Sequence, residues 1–121
     1  MFSVNCTSVN CCVAEPAFRS THGCFHNILD ITCPDSDVIM FDLATYGRNN
    51  RQVASQCDVT FDDKCEIDVT MKVKDRCAGR SSCQLHVNTA LFSDPCGEEE
   101  FVIVHYQCVK REYRLHIITG M

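Results

Sequence analysis

Eleven cysteines stand in a chain of 121 residues: Cys6, Cys11, Cys12, Cys24, Cys33, Cys57, Cys65, Cys77, Cys83, Cys96 and Cys108. Sulfur at this density could cross-link, bind metal or act as a nucleophile. Metal ligation is disfavoured, because there is no Cys-x2-Cys pair and the five histidines do not stand in ligand spacing with the cysteines. His22 and His26 flank Gly23-Cys24, a poor context for a shared metal, and Cys83 near His86 reads better as a half-cystine. A nucleophilic cysteine is improbable where most sulfurs are paired. No Gly-x-Ser-x-Gly elbow, phosphate-binding glycine loop or His-Glu-x-x-His pattern occurs. The carboxylates Asp58, Asp62, Asp63 and Glu66 lack the spacing and central glycine of a calcium loop. They read as a solvated loop, and so does Glu98-Glu99-Glu100. Cross-linking remains: the density approaches that of a disulfide scaffold and points to an oxidising compartment. The odd count leaves at least one thiol without a partner in the chain. No catalysis, cofactor or metal is therefore expected.

The length suits one domain with a real core, reinforced by disulfides. A net charge of -5 disfavours a nucleic-acid partner, whose phosphates need basic side chains. No apolar run approaches the roughly 20 residues of a membrane helix, so no membrane insertion is expected in this segment. Met1 to Cys6 has neither the basic nor the apolar region of a secretion signal. The cysteines outweigh that, and the chain reads as a module of a longer extracellular or cell-surface protein. Asn5-Cys6-Thr7 fits a glycosylation site.

Those residues must be positioned by local structure. Residues 1–21 show no sustained periodicity and read as an extension or linker. From Cys24 onward, short apolar segments alternate with turn signals, the pattern of a mainly β domain. Ile28 to Cys33 predicts a strand stopped by Pro34. Val38 to Leu43 is almost continuously apolar and predicts a strand buried on both faces. Tyr46-Gly47-Arg48-Asn49-Asn50 predicts a turn. Residues 51–66 are polar and acidic and predict a long loop pinned by Cys57 and Cys65. Ile67 to Arg76 alternates like a strand through Val73, yet allows a helical turn near Lys72 to Arg76. Cys77 and Cys83 bracket a tight turn, and Gln84 to Val87 predicts a short strand. Thr89 to Phe92 predicts one helical turn ended by Asp94-Pro95, and Phe101 to Tyr106 the clearest strand. The tail is 110–121.

The order of Cys24, Cys33, Tyr46-Gly47-Arg48, Cys57, Cys65, Cys77/Cys83, Asp94-Pro95-Cys96 and Tyr106-Gln107-Cys108 resembles the SUEL-type galactose/rhamnose-binding lectin domain. That family is found in egg lectins and latrophilin-type adhesion receptors. The resemblance covers about residues 22–109. It implies a compact, antiparallel, β-sandwich-like domain with one or two short helices and long loops. It also implies the pairs Cys24–Cys57, Cys33–Cys108, Cys65–Cys96 and Cys77–Cys83, which the count alone leaves among 105 connectivities. Cys6, Cys11 and Cys12 fall outside this frame and are candidates for an intermolecular disulfide.

The resemblance further implies a shallow sugar pocket at one end of the domain. Its candidates here are Tyr46, Arg48, Asp94, Gly97 and Glu100. A sugar's vicinal hydroxyls need fixed donors and acceptors, and its apolar edge needs a ring or aliphatic surface. Asp94 can accept from two hydroxyls, and Tyr46 can offer a ring face and a hydroxyl. Arg48 is favoured as structural, its fork holding a carboxylate or loop carbonyls. Phe25 stands where the family usually has an acidic residue. The Gly97-to-Glu100 loop is one residue shorter than the family's, with Glu100 at the position of its sugar-contacting lysine. Ordinary rhamnose or galactose recognition is therefore expected to be lost or altered. The implied partner is a glycan of that type or, on the same scaffold, a cell-surface protein.

Overall fold

The computed structural model describes residues 18–97 and 99–110. The Asn5 glycosylation site, Cys6, Cys11, Cys12, Glu98 and the tail from residue 111 lie outside them. Among the described residues, six strands run antiparallel in two sheets: β1 (Phe18–Cys24), β2 (Ile28–Thr32), β3 (Val38–Gly47), β4 (Glu66–Asp68), β5 (Ser82–His86) and β6 (Phe101–Val109). Four strands form one sheet in the order β1-β6-β3-β4, while β2 and β5 form a ribbon. Three short helices accompany them: α1 (Arg51–Gln56), α2 (Thr70–Cys77) and α3 (Thr89–Phe92). None of the described helices is long and apolar enough to cross a membrane.

The core lies between the large sheet's inner face and the ribbon. Ile39, Phe41, Ala44, Tyr46, Val102 and Val104 meet Leu29, Ile31 and Leu85 there, and α2 adds Val73 and Cys77. The ribbon alternates buried and exposed residues with a period of two, the pattern of strands with one wet face. The long central strand β3 departs from that rule. Its register against β6 shifts between Phe41 and Leu43, so Asp42 is the extra residue of a bulge. Ile39 and Phe41 face inward before the bulge, and Ala44 and Tyr46 after it. Without the bulge, alternation would turn Leu43 and Thr45 inward instead. The expectation of burial on both faces holds for Val38 to Phe41 only in part, since Met40 is half-buried, and it fails at Asp42 and Leu43, which are exposed. The strand also runs on through Tyr46 and Gly47, which the sequence reading placed in a turn.

All four disulfides implied by the family frame are present: Cys24–Cys57, Cys33–Cys108, Cys65–Cys96 and Cys77–Cys83. The expected 1–21 extension overlaps β1, whose residues from Phe18 onward pair with β6. The expected 51–66 loop contains α1. Asn50 caps it, its side chain accepting from the Val53 amide at 2.9 Å. Val53 and Ala54 bury against Phe101 on the sheet's outer face. The ambiguous segment 67–76 resolves as the end of β4 followed by α2. Asp68 turns the chain by accepting from the Thr70 amide at 2.8 Å. Val69, Val73 and Cys77 then fall on one buried side at helical spacing.

Gly47 closes β3 under a tight constraint. Its φ is +154°, and an added Cβ would collide with the backbone carbonyl of Cys65. Arg48 N–H donates to that same carbonyl at 2.9 Å, which locks the crossing. Gly47→Ala is expected to lower stability by roughly 2–3 kcal/mol, seen as an earlier urea midpoint at unchanged slope.

Candidate functional site

Tyr46, Glu100 and Asp94 come together at one end of the large sheet, with Gly97 in the loop beside them. Tyr46 is there because the bulge turns it inward, and its ring packs on Phe92 of α3 with centroids 4.8 Å apart. Glu100 precedes β6 and continues the inward row of Val102 and Val104 by the two-residue period of a strand. Both side chains are fully buried, at 0% exposure. The Tyr46 hydroxyl donates to Glu100 Oε1 at 3.1 Å. The Cys96 amide donates to Glu100 Oε2 at 3.0 Å. Cys96 is itself fixed to Cys65. The expected solvated acidic loop therefore holds for Glu99, which is exposed, and fails for Glu100. The carboxylate satisfies groups that no water reaches, so it lies inside the fold.

Burial pushes the Glu100 carboxyl above the ordinary range. The Cys96 and Tyr46 hydrogen bonds pull it back in part, while a shared hydrogen bond and the negative charge of Asp94 add to the rise. Tyr46 is raised as well, first by burial and then by the Glu100 carboxylate. Asp94 follows α3, which the Asn88 side chain caps by accepting from the Leu91 amide at 2.9 Å. Ser93 ends that helix at φ +72°, leaving Asp94 exposed next to the buried pair. Gly97 is exposed at φ +73°, and a Cβ there would meet nothing within 4 Å. Chemically, the end of the sheet presents one exposed carboxylate and an open backbone loop over a closed Tyr46–Glu100 wall.

Arg48, and Phe25 at the family's acidic position, lie elsewhere. Arg48 is buried, and its Nη1 donates to the Thr60 carbonyl at 3.4 Å, fastening the loop between α1 and β4. Arg48 also lines a shallow hollow with Asp58, Val59, Thr60 and Glu99. Phe25 is half-buried against His26, with ring centroids 4.1 Å apart. Phe92 and the Cys96 amide complete the wall and were not among the sequence candidates. Phe92 had a visible signal as the aromatic next to Ser93-Asp94, whereas a backbone amide has none. Among the described residues, one group has metal-ligand proximity, His22 with Cys24 and Cys57. Its two sulfurs are joined in a disulfide and offer no thiolate.

The comparisons with known proteins agree with this framework. The chain matches the D-galactoside/L-rhamnose binding SUEL lectin domain over residues 31–108. It is 31% identical to Latrophilin Cirl of Drosophila pseudoobscura pseudoobscura over 109 residues, which cover 86% of this chain. It is 30% identical to Latrophilin Cirl of Drosophila persimilis over 78% of the chain and, likewise at 30%, to that of Drosophila ananassae over 76%. The aligned part is 6% of each relative's length. With the cysteine frame, the antiparallel sheets and the matched span in agreement, the chain belongs to the SUEL lectin domain family, a family of binding modules.

Proposed function

We propose that this domain is an extracellular, lectin-like recognition module with altered sugar specificity. It would meet its glycan through Asp94 and the backbone around Gly97. The observation that carries this reading is the inward Glu100. Its carboxylate is consumed by Tyr46 and Cys96, so neither it nor the tyrosine hydroxyl remains to hold a sugar. Asp94 alone of the candidate carboxylates stays exposed. A charge-assisted hydrogen bond contributes about 1.5–3 kcal/mol, and millimolar sugar binding totals only about 4 kcal/mol. The loss of two such contacts removes most of it.

L-Rhamnose and D-galactose are accordingly expected to show no saturation in the millimolar range by calorimetry. Saturable millimolar rhamnose binding that disappears in Asp94→Ala would refute the altered specificity. A glycan array then tests the lectin reading itself, with a reproducible signal lost in Asp94→Ala as the expected result. The closed wall also favours a second reading, an adhesion module that uses the scaffold to bind a cell-surface protein. An array without signal, together with binding to a purified receptor ectodomain, would establish that one.

A further inference from the structure

The outer face of the large sheet carries a second concavity, remote from the Tyr46–Glu100 wall. Helix α1 covers one end of that face by packing Val53 and Ala54 on Phe101. Beyond the helix the face is open, and a groove of about 460 Å³ remains, within the roughly 300–1,000 Å³ of small-ligand sites. Its floor is apolar: Ile103 lies there, and Leu43 is 41% exposed. Amides on the α1 side, including Gln52, and the imidazoles of His22 and His105 line the rest.

Two features hold the groove in shape. The Cys24–Cys57 disulfide bolts the end of β1 to the end of α1, so the two walls cannot drift apart. Asn49 Nδ2 donates to Glu66 Oε1 at 3.0 Å, which aims the one lining carboxylate. Preformed walls avoid the ordering entropy that binding would otherwise cost.

We propose that this groove is a binding site for a neutral saccharide, a site separate from the loop end and independent of the reading given above. The lining contains no lysine or arginine. Arg51, adjacent to it on α1, is instead stacked over Phe61 at 4.1 Å. An anionic ligand would meet Glu66 with no cation to compensate. A peptide strand laid over the centre of the floor would find no backbone partners there, since β6 is paired on both sides by β1 and β3. Side-chain amides both donate and accept, and imidazole nitrogens add further polar partners, which suits hydroxyls. The Leu43 and Ile103 floor suits the C–H face of a sugar ring.

Nitrogen-15 NMR of the full chain tests this site by site, with lactose, maltose and N,N′-diacetylchitobiose as neutral probes and 3′-sialyllactose as the anionic one. The expected result is saturable shifts at the amides of Asn49, Gln52, Ile103 and His105 with at least one neutral disaccharide. Leu43→Glu should weaken that binding by about tenfold or more, through lost floor and added charge. Gln52→Ala, on an exposed helix position, should weaken it several-fold with the spectrum otherwise unchanged. Shifts confined to the Asp94–Gly97 loop would support the loop-end site and overturn this one. So would shifts with none of the neutral probes, a preference for 3′-sialyllactose, contacts from residues 1–17 occupying the groove, or affinity unchanged in both variants.

Discussion

Glu100→Ala is expected to destabilise the domain by about 2–4 kcal/mol, the cost of stranding buried hydrogen-bonding groups. The Tyr46 hydroxyl and the Cys96 amide both donate to this carboxylate, and the residue is fully buried. Alanine leaves two donors without acceptors and a cavity beside the Tyr46 hydroxyl. A large drop in the urea midpoint is the result to look for; an unfolding free energy within about 0.5 kcal/mol of wild type would mean the loop relaxes to solvent and the wall is not structural. Glu100→Gln separates charge from shape. The folded carboxyl titrates above its ordinary value because burial penalises the charged form. A proton is therefore held more tightly in the folded chain than in the unfolded one. Its contribution is fully present below the ordinary glutamate range, near 4.3, and declines as pH rises through the raised folded value. Glutamine behaves like the permanently neutral form. The stability of wild type relative to Glu100→Gln should therefore fall as pH rises across that window. A pH-independent difference would show that the carboxyl is ordinary. Asp68, which is lowered by its Thr70 hydrogen bonds, runs the other way, so the pairwise difference is the informative quantity.

The second large effect concerns the cross-links. Cys33–Cys108 joins residues 75 apart, the end of ribbon strand β2 to strand β6. In the chain-entropy description its removal costs about 4–5 kcal/mol. Cys77–Cys83 spans only six residues and by the same relation is worth about 2 kcal/mol. Paired alanine replacements should differ accordingly, with Cys33→Ala/Cys108→Ala far the more damaging in chemical denaturation. All four of these sulfurs are buried, so the loss of side-chain volume is comparable in the two variants and leaves the contrast to loop length. Equal losses would show that native packing around the bridges, and not closure of the unfolded chain, sets their worth.

The frame was legible before the fold because half-cystines are chemically singular, and their order resembles that of a known family whatever lies between them. Strands β3 and β6 were legible as apolar runs, and α3 as a turn before Asp94-Pro95. Helix α1 was not, for a physical reason. Six residues are under two helical turns, too few for a period to emerge, and its stability comes from the Asn50 cap and from Phe101, 47 positions after Ala54. Glu100 was misread for a related reason. Its burial depends on Tyr46 and on the Cys96 amide, and a run of three glutamates otherwise belongs in water. The one local hint was parity: stepping back by two from Val104 and Val102 lands on Glu100. Tyr46 and Asp94 do lie near one another, but that the Tyr46 side chain faces inward depends on a bulge that has no compositional mark.

That bulge has a consequence for how the domain can diversify. Asp42 is accommodated at the surface, where its carboxylate accepts from Gln107 Nε2 at 3.2 Å. By adding one residue it sends Ala44 and Tyr46 to the interior and, by the same step, delivers Leu43 and Thr45 to the outer groove. One strand thus supplies both surfaces, phased by a single inserted position. Substitutions at Leu43 or Thr45 can retune the outer face while the interior stays untouched. A change of strand length between Val38 and Tyr46 exchanges the two sets wholesale. Side-chain identity is the free variable along this strand, and residue count is the fixed one.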